Sequence, residues 1–178
     1  AQGTICYTTS PVHNERYWIK LAKDIEDIGA TSLAIKDMAG LLRPRTCYEL
    51  VKKLKKNLNI PIHLHTHSTT GLSDATNFKA YEAGIDNIDT SISSFSNLYA
   101  HTATESFISM MYSEEKNPFD MKLLTKISEY FNEVRKKYEK YEGSMRGVDV
   151  NMLINQVPGG MLSILEKQLL DLNLSLIH

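Results

Sequence analysis

A repeated alternation of apolar and amphipathic segments is the feature that most constrains the fold of this chain. Apolar runs of β type begin near residues 4, 32, 60 and 87, so successive runs start about 28 residues apart. Amphipathic segments lie between them, with apolar residues at helical spacing. Such an alternation predicts parallel strands joined by right-handed crossovers, which is an α/β fold.

The first three apolar runs are polar at their carboxyl ends, where they read TTS, KD and HTH. Barrel enzymes carry their chemistry at that edge of the strands. Open doubly wound sheets also bind ligands there. The pattern therefore predicts a site at the carboxyl edge without choosing between the two architectures.

Helices are predicted to follow the fourth strand, which we expect to span residues 87–92. The spacing predicts helices over residues 101–112, 121–141 and 161–172, with an irregular segment between residues 143 and 160. We find no low-complexity linker, so we expect one core with a helical appendage.

Charge and cysteine content restrict the class of protein. Twenty basic and 21 acidic side chains give a net charge of −1, whereas nucleic-acid-binding proteins normally show a basic bias. No apolar run approaches the ~20 residues of a membrane span. We therefore expect no nucleic-acid partner and no membrane span. Cys6 and Cys47 form no CxxC pair, and we expect two reduced thiols in a cytoplasmic protein.

The segment IHLHTHS at residues 62–68 is the strongest candidate for a functional site. Side chains alternate between faces along a strand, so His63, His65 and His67 share one face. Imidazoles two residues apart can chelate one divalent ion, and imidazole suits Zn, Co or Mn. The alternative is a set of hydrogen-bonded histidines lining a polar pocket.

Lys36 ends the apolar run SLAIK and is the second candidate. Burial disfavours its charged form. A neutral amine can form a Schiff base, act as a base, or react with carbon dioxide to give a carbamate that could ligate the same metal. The alternative is a lysine that extends to solvent and pairs with Asp37.

Four other residues are weaker candidates. Gly40 follows Lys36 in a small-residue turn and would permit close approach of a ligand to the backbone. Asp86 and Asp89 bracket the fourth strand, where each fits a cap or a pocket wall better than a metal ligand. Ser163 lies near the start of the last predicted helix. Its hydroxyl could be a simple helix-start residue or a proton donor.

Several motifs together resemble the carboxyltransferase segment of biotin-dependent enzymes. This group includes the oxaloacetate decarboxylase alpha subunit, the transcarboxylase central subunit and the B subunit of two-subunit pyruvate carboxylase. The motifs occur in the same order along nearly the whole chain. They are CYTTSPVH (6–13), IKDMAGLLRP (35–44), IHLHTHSTTG (62–71), EAGIDNIDTSISSFS (82–96) and VPGGMLS (157–163).

The resemblance implies a role for particular residues. Lys36 matches a lysine that is carboxylated and ligates the metal, and His65 and His67 match two histidine ligands. His63 does not match a ligand position. Ser163 matches a hydroxyl position associated with proton exchange at biotin. The implied reaction moves a carboxyl group between biotin, on a carrier domain that is not part of this chain, and pyruvate or oxaloacetate.

The sequence departs from the family at several positions. A first-strand aspartate ligand in a D-x-x-x-R-D motif has no match, and neither has the biotinylation motif. Ile164 stands where family members often have asparagine, and the closing segment from Asp171 is more apolar than expected. The four readable strands match the C-terminal half of a (β/α)8 TIM barrel.

The resemblance also implies how the chain is organised and what it associates with. Residues 1–98 would form the second half of the barrel, and residues 99–178 would complete it and add a helical extension. We expect self-association or a chain that supplies the first half, a biotin carboxyl carrier domain as partner, and little activity from these 178 residues alone. Two alternatives are a metal-dependent barrel of the acyl-CoA aldolase or lyase type and a non-catalytic assembly fragment.

Overall fold

A sheet of four parallel strands, with helices between them, forms the first part of the molecule. The structure is a computed structural model that describes residues 1–172. The side chains of residues 159, 160, 163 and 170 lie outside the described part. The strands are β1 (Gln2–Cys6), β2 (Ser32–Asp37), β3 (Ile62–Thr66) and β4 (Asn87–Ile88). The helices are α1 (Glu15–Asp27), α2 (Pro44–Asn57), α3 (Ser73–Ala83), α4 (Thr104–Met111), α5 (Met121–Lys136), α6 (Met152–Asn155) and α7 (Gly159–Asp171).

The strands lie in the order β1-β2-β3-β4, and each neighbouring pair is parallel. This confirms the prediction of an α/β fold with four parallel strands followed by a helical segment. Among the residues that the structure describes, this second part also contains 3₁₀ turns at Ser93–Phe95, Glu114–Lys116 and Glu139–Tyr141.

The helix boundaries in the first half follow local signals in the sequence. The Asn14 side chain caps α1 by accepting a hydrogen bond from the Tyr17 N–H at 3.1 Å, which satisfies one of the free donors at a helix start. Gly29 follows α1 with a φ of +95°, a conformation that favours glycine. Pro44 begins α2, where its missing N–H leaves no intrahelical bond unmade.

One face of the sheet forms the core against α1, α2 and α3. Leu33, Ile35, Ile62 and Leu64 on β2 and β3 are each 0% exposed. Burying side chains of this kind contributes about 1.5–3 kcal/mol each. On the opposite face of β3, His63 and His65 are partly exposed, and the alternation predicted for the histidine segment places its imidazoles there.

The fourth strand and the helix after it differ from their predicted bounds. β4 ends at Ile88, and the chain then pairs with a later segment through a bridge between Ser91 and Ala103. The Ser91 N–H donates to the Thr102 carbonyl at 3.0 Å, and the Thr104 N–H donates to the Ser91 carbonyl at 2.8 Å. Because residues 101–103 take part in this pairing, α4 begins at Thr104, and the prediction of a helix from residue 101 was wrong.

The C-terminal helices also differ from prediction at their ends. α5 ends at Lys136 and a 3₁₀ turn follows at Glu139–Tyr141, so the single helix predicted to residue 141 is divided. The predicted irregular segment contains the short helix α6. α7 starts before the predicted residue 161, and the Pro158 carbonyl accepts hydrogen bonds from the N–H groups of Met161 and Leu162. Residues 173–178, which include most of the apolar closing segment, lie outside the described part.

Candidate metal centre

The pairing register brings the two strongest candidates together at the carboxyl edge of the sheet. Lys36 on β2 lies opposite His65 on β3, so both side chains share the polar face. His67 follows β3, and its N–H donates to the Asp37 carbonyl at 3.0 Å. This hydrogen bond extends the β2–β3 pairing and keeps His67 on the same face as His65.

The hydrogen bonds of His65 and His67 fix which ring nitrogen carries the proton. His65 Nδ1 lies 2.6 Å from an Asp89 carboxylate oxygen, and His67 Nδ1 lies 2.6 Å from the Tyr99 carbonyl oxygen. Carbonyl and carboxylate oxygens only accept hydrogen bonds, so Nδ1 is protonated in both rings. Each ring therefore has a lone pair on Nε2.

These two Nε2 atoms face each other at 3.2 Å. A tetrahedral ion with metal–nitrogen bonds of about 2.0–2.1 Å separates its ligands by about 3.3 Å. Protein imidazole ligands commonly donate their second N–H to a carboxylate or a backbone carbonyl, as both rings do here. The donor set of this pair therefore fits a divalent metal ion.

A third imidazole that we did not predict as a ligand adjoins this pair. One ring nitrogen from each of His65, His67 and His101 lies within 4.8 Å of the others, and all three rings are partly buried. Among the described residues, this is the group of histidine, cysteine or acidic side chains whose spacing could hold a metal. His101 was predicted to start a helix, and no periodicity in its segment indicates that it turns back towards β3.

His63 lies on the same face, but both of its ring nitrogens are engaged. Its Nε2 donates to Asp89 at 2.7 Å, and its Nδ1 accepts from the Gln2 side-chain amide at 3.3 Å. This is the opposite tautomer from that of His65, and it leaves His63 no free lone pair for a metal. His63 therefore differs from His65 and His67, which each keep a free Nε2 lone pair.

Electrostatics at the site favour neutral imidazoles beside a charged carboxylate. Burial lowers the pKa of His65 and of His67, and the positive charge of Lys36 acts in the same direction on both. Burial opposes ionisation of Asp89, but hydrogen bonds from His65 and His63 outweigh it and lower the pKa of Asp89. Neutral imidazole is the form that binds metal.

Asp37 does not pair with Lys36. Its carboxylate lies on the buried face of β2 and accepts hydrogen bonds from the N–H groups of Leu41 and Leu42 at 2.9 and 2.8 Å. Burial raises the pKa of Asp37 to about 6 in spite of these bonds. Among the described residues, no ion pair joins Lys36 to Asp37, so this structure does not contain the pairing considered from the sequence.

The turn after β2 approaches the histidine loop closely at Gly40. Gly40 has a φ of +67°, and a Cβ atom there would lie 2.9 Å from both the His67 carbonyl oxygen and the Thr70 hydroxyl oxygen. The Thr70 hydroxyl donates to the Gly40 carbonyl at 2.6 Å. Gly40 therefore allows contact between two backbone segments, whereas its predicted role was close approach of a ligand.

Ser163 lies in α7, but its side chain is outside the described part of the structure. The segment before α7 contacts the carboxyl edge of β1. Gln156 accepts a hydrogen bond from the Thr8 hydroxyl at 2.9 Å and donates to the Thr9 carbonyl at 3.1 Å. The start of the last helix is thus attached to the edge of the sheet where Lys36 and the histidines lie.

A comparison with protein families decides the classification of the chain. The family model described as HMGL-like matches residues 8–131, which include all four histidines of this face as well as Lys36. This chain belongs to the HMGL-like family. Within the part of this HMGL-like chain that the structure describes, no helix is both long and apolar enough to cross a bilayer.

Curated relatives of this HMGL-like chain include two carboxylase or carboxyltransferase subunits. It is 45% identical over 170 residues to the B subunit of pyruvate carboxylase from Methanocaldococcus jannaschii, covering 94% of this chain and 30% of the relative. It is also 45% identical over 172 residues to the methylmalonyl-CoA carboxyltransferase 5S subunit of Propionibacterium freudenreichii subsp. shermanii, covering 95% and 34%. The chain thus spans about a third of the length of these relatives.

Solved structures agree with the fold of this HMGL-like chain. The carboxyl transferase domain of Rhizobium etli pyruvate carboxylase with 3-hydroxypyruvate matches with a TM-score of 0.92 and 32% identity, covering 98% of this chain and 30% of that one. The same domain with pyruvate matches with a TM-score of 0.91 and 33% identity, covering 97% and 30%. The four-stranded fold therefore corresponds to part of a carboxyltransferase TIM-barrel domain.

Proposed function

We propose that this chain forms the metal-binding part of a carboxyltransferase that moves a carboxyl group between biotin and pyruvate or oxaloacetate. The observation that carries this proposal is the pair of Nε2 lone pairs of His65 and His67, 3.2 Å apart, with Lys36 in register beside them. The relatives named for pyruvate carboxylase and for methylmalonyl-CoA carboxyltransferase support it.

His65, His67 and Lys36 would hold a divalent ion, and the imidazole donors suit Zn, Co or Mn. Such an ion would supply Lewis acidity towards the keto oxygen of the substrate. The contribution of the chain is to present two neutral imidazoles in one orientation. The Asp89 carboxylate and the Tyr99 carbonyl fix this orientation, because they accept hydrogen bonds from the Nδ1–H groups of the two rings.

Carboxylation of Lys36 would change the sign of the charge next to the two imidazoles. As an ammonium group, Lys36 places a positive charge near His65 and His67, which opposes the binding of a cation. A carbamate at the same nitrogen carries a negative charge and offers oxygen ligands. The register of Lys36 opposite His65 would allow such an oxygen to reach the ion that the imidazoles hold.

Biotin, on a separate carrier domain, would bring or remove the carboxyl group. Ser163 would exchange a proton at the biotin nitrogen. Support for this role comes from the attachment of the preceding segment, through Gln156, to the residues that follow β1. The carrier domain and the keto acid, pyruvate or oxaloacetate, are the partners that this proposal requires.

We further propose that residues 1–98 supply the second half of a barrel, and that residues 99–178 complete it and extend it with helices. Further chain, or another copy in a homo-oligomer, would supply the remaining strands and the missing aspartate ligand. The 178 residues alone should then show little decarboxylation of oxaloacetate. A cytoplasmic location stays a prediction, and it rests on the two cysteines, which are both free.

Substitution of Lys36 tests the proposal against an aldolase-type metal centre. In the purified protein, Lys36→Ala should remove bound Zn or Co, and in a preparation that also contains the remaining strands of the barrel it should abolish carboxyl transfer from carboxybiotin to pyruvate. Lys20→Ala is the control, because Lys20 pairs with Asp24 on the surface of α1. Metal content by atomic emission and pyruvate carboxylation are the two measurements.

The outcomes separate three functions. Loss of both metal and activity in Lys36→Ala alone would support the carboxyltransferase. Retained metal in Lys36→Ala would indicate a centre of the aldolase type, in which no carboxylated lysine is a ligand. A wild-type preparation that contains the whole barrel, binds metal weakly and shows neither carboxyl transfer nor aldolase activity would indicate an assembly fragment, and a size measurement would then show which chain it associates with.

A further inference from the structure

We propose that His101 is a third imidazole ligand of the metal centre. This inference rests on the proposed function, because it concerns the ion held by His65 and His67. It goes beyond that proposal by adding a donor from the loop after β4. The loop would thereby join the ion to a part of the chain that follows the four strands.

The ring of His101 is oriented in the same way as the other two rings. Its Nδ1 lies 2.7 Å from the Thr66 carbonyl oxygen, so Nδ1 carries the proton and Nε2 keeps its lone pair. The ring centroid of His101 lies 4.3 Å from that of His65 and 4.7 Å from that of His67. Three rings that are each protonated on Nδ1 therefore come together at the carboxyl end of β3.

The spacing of the three donors is close to that required by one ion. A ring nitrogen from each histidine lies within 4.8 Å of the others, whereas tetrahedral ligands are about 3.3 Å apart. A closure of at most about 1.5 Å would therefore bring His101 to ligand distance. Rotation of a single imidazole about its side-chain bonds can provide a movement of this size.

The backbone around His101 is held in place on both sides. Before it, the Ala100 carbonyl accepts from the Ser68 N–H at 2.8 Å, and the His101 carbonyl accepts from the Asn97 N–H at 2.7 Å. After it, Thr102 and Ala103 take part in the bridge to Ser91. The position of His101 is thus set by main-chain hydrogen bonds, independently of its ring.

The facing Nε2 lone pairs of His65 and His67, with the His101 ring beside them, favour a cation between the rings. Partial negative charges on neighbouring nitrogens repel one another, and a divalent ion turns that repulsion into attraction. His63 shows the contrasting arrangement on the same face, because both of its nitrogens are occupied by protein partners. Because of this difference in tautomer, His101 is a candidate ligand and His63 is not.

Cobalt(II) substitution of the purified protein tests this inference. In the proton NMR spectrum, each imidazole bound through Nε2 should give one strongly shifted Nδ1–H signal that disappears in D2O. We expect three such signals in the wild type, two in His101→Ala, and three in the matched control His63→Ala. Cobalt affinity should fall about tenfold or more in His101→Ala, and His101→Asn is measured as a second variant that keeps a polar side chain.

Each result bears on a defined part of the argument. An unchanged number of shifted signals in both His101 variants would overturn the ligand role of His101 and leave the proposed function intact. Loss of one signal in His101→Ala, with His63→Ala unchanged, would support it. Failure of the wild type to bind cobalt would overturn the metal centre itself, and the inference with it.

Discussion

Replacing Asp89 with asparagine should weaken metal binding, because one carboxylate orients two histidines. Asp89 accepts from His63 Nε2 at 2.7 Å and from His65 Nδ1 at 2.6 Å. An asparagine side chain has one accepting oxygen and one donating amide group. If the amide group faces His65, the ring must rotate or move its proton to Nε2, and the lone pair that binds the ion is lost.

The size of the effect follows from the role of Asp89 as a partner of a ligand. Loss of such a partner typically lowers metal affinity about 10- to 100-fold, which corresponds to about 1.4–2.7 kcal/mol. The Asp89 side chain is 38% exposed, so water can replace part of the lost hydrogen bonding. We therefore expect Asp89→Asn to lower affinity by about 10- to 30-fold, in the lower half of that range.

Competition with a chromophoric chelator, at constant pH, measures this affinity for Zn or Co. Asp86→Asn is the matched control, because Asp86 lies at the other end of β4, where it binds Lys55 and the Ile62 N–H. Circular dichroism checks that both variants fold. Wild-type affinity in Asp89→Asn, or an equal loss in Asp86→Asn, would refute the argument that the carboxylate sets the tautomer of His65.

Three further predictions concern the framework around the site. Asn77→Ala should destabilise the protein by about 1–3 kcal/mol, as measured by urea unfolding, because it leaves the buried Thr66 hydroxyl unpaired, whereas the Thr102 hydroxyl keeps its bond to Ser73. Gly40→Ala should cost about 1–3 kcal/mol, because its φ is positive and its Cβ would meet the neighbouring loop; unchanged stability would contradict this. Burial raises the pKa of the Cys47 thiol to about 12, so iodoacetamide at pH ~8 should label the exposed Cys6 and leave Cys47 unmodified in the native protein, as mass spectrometry can show.

The sequence was sufficient to predict the four strands and the shared face of the histidines. These predictions depend on local rules, namely the two-residue period of a strand and the spacing of apolar residues in a helix. Lys36 could be placed at a strand end in the same way. Its position opposite His65 follows from the pairing register of β2 and β3. That register cannot be predicted from the sequence of either strand alone.

The position of His101 beside His65 and His67 could not be predicted, because the path of its loop depends on unusual backbone conformations. Asn97 and Leu98 have φ values of 63° and 52°, and a leucine gives no signal for the left-handed region. The same loop supplies the Tyr99 carbonyl that orients His67. Asp89 was predicted as a cap or pocket-wall residue, and the structure gives it the more specific task of orienting two imidazoles.

The partners that orient the three imidazoles differ in how mutation can affect them. His67 and His101 donate to the main-chain carbonyls of Tyr99 and Thr66, and every amino acid provides such a carbonyl. His65 instead depends on a side chain, Asp89. A single amino-acid change can therefore remove the hydrogen-bond acceptor of His65 but not the acceptors of His67 and His101. Natural variation that tunes this centre without touching its histidines should concentrate at position 89.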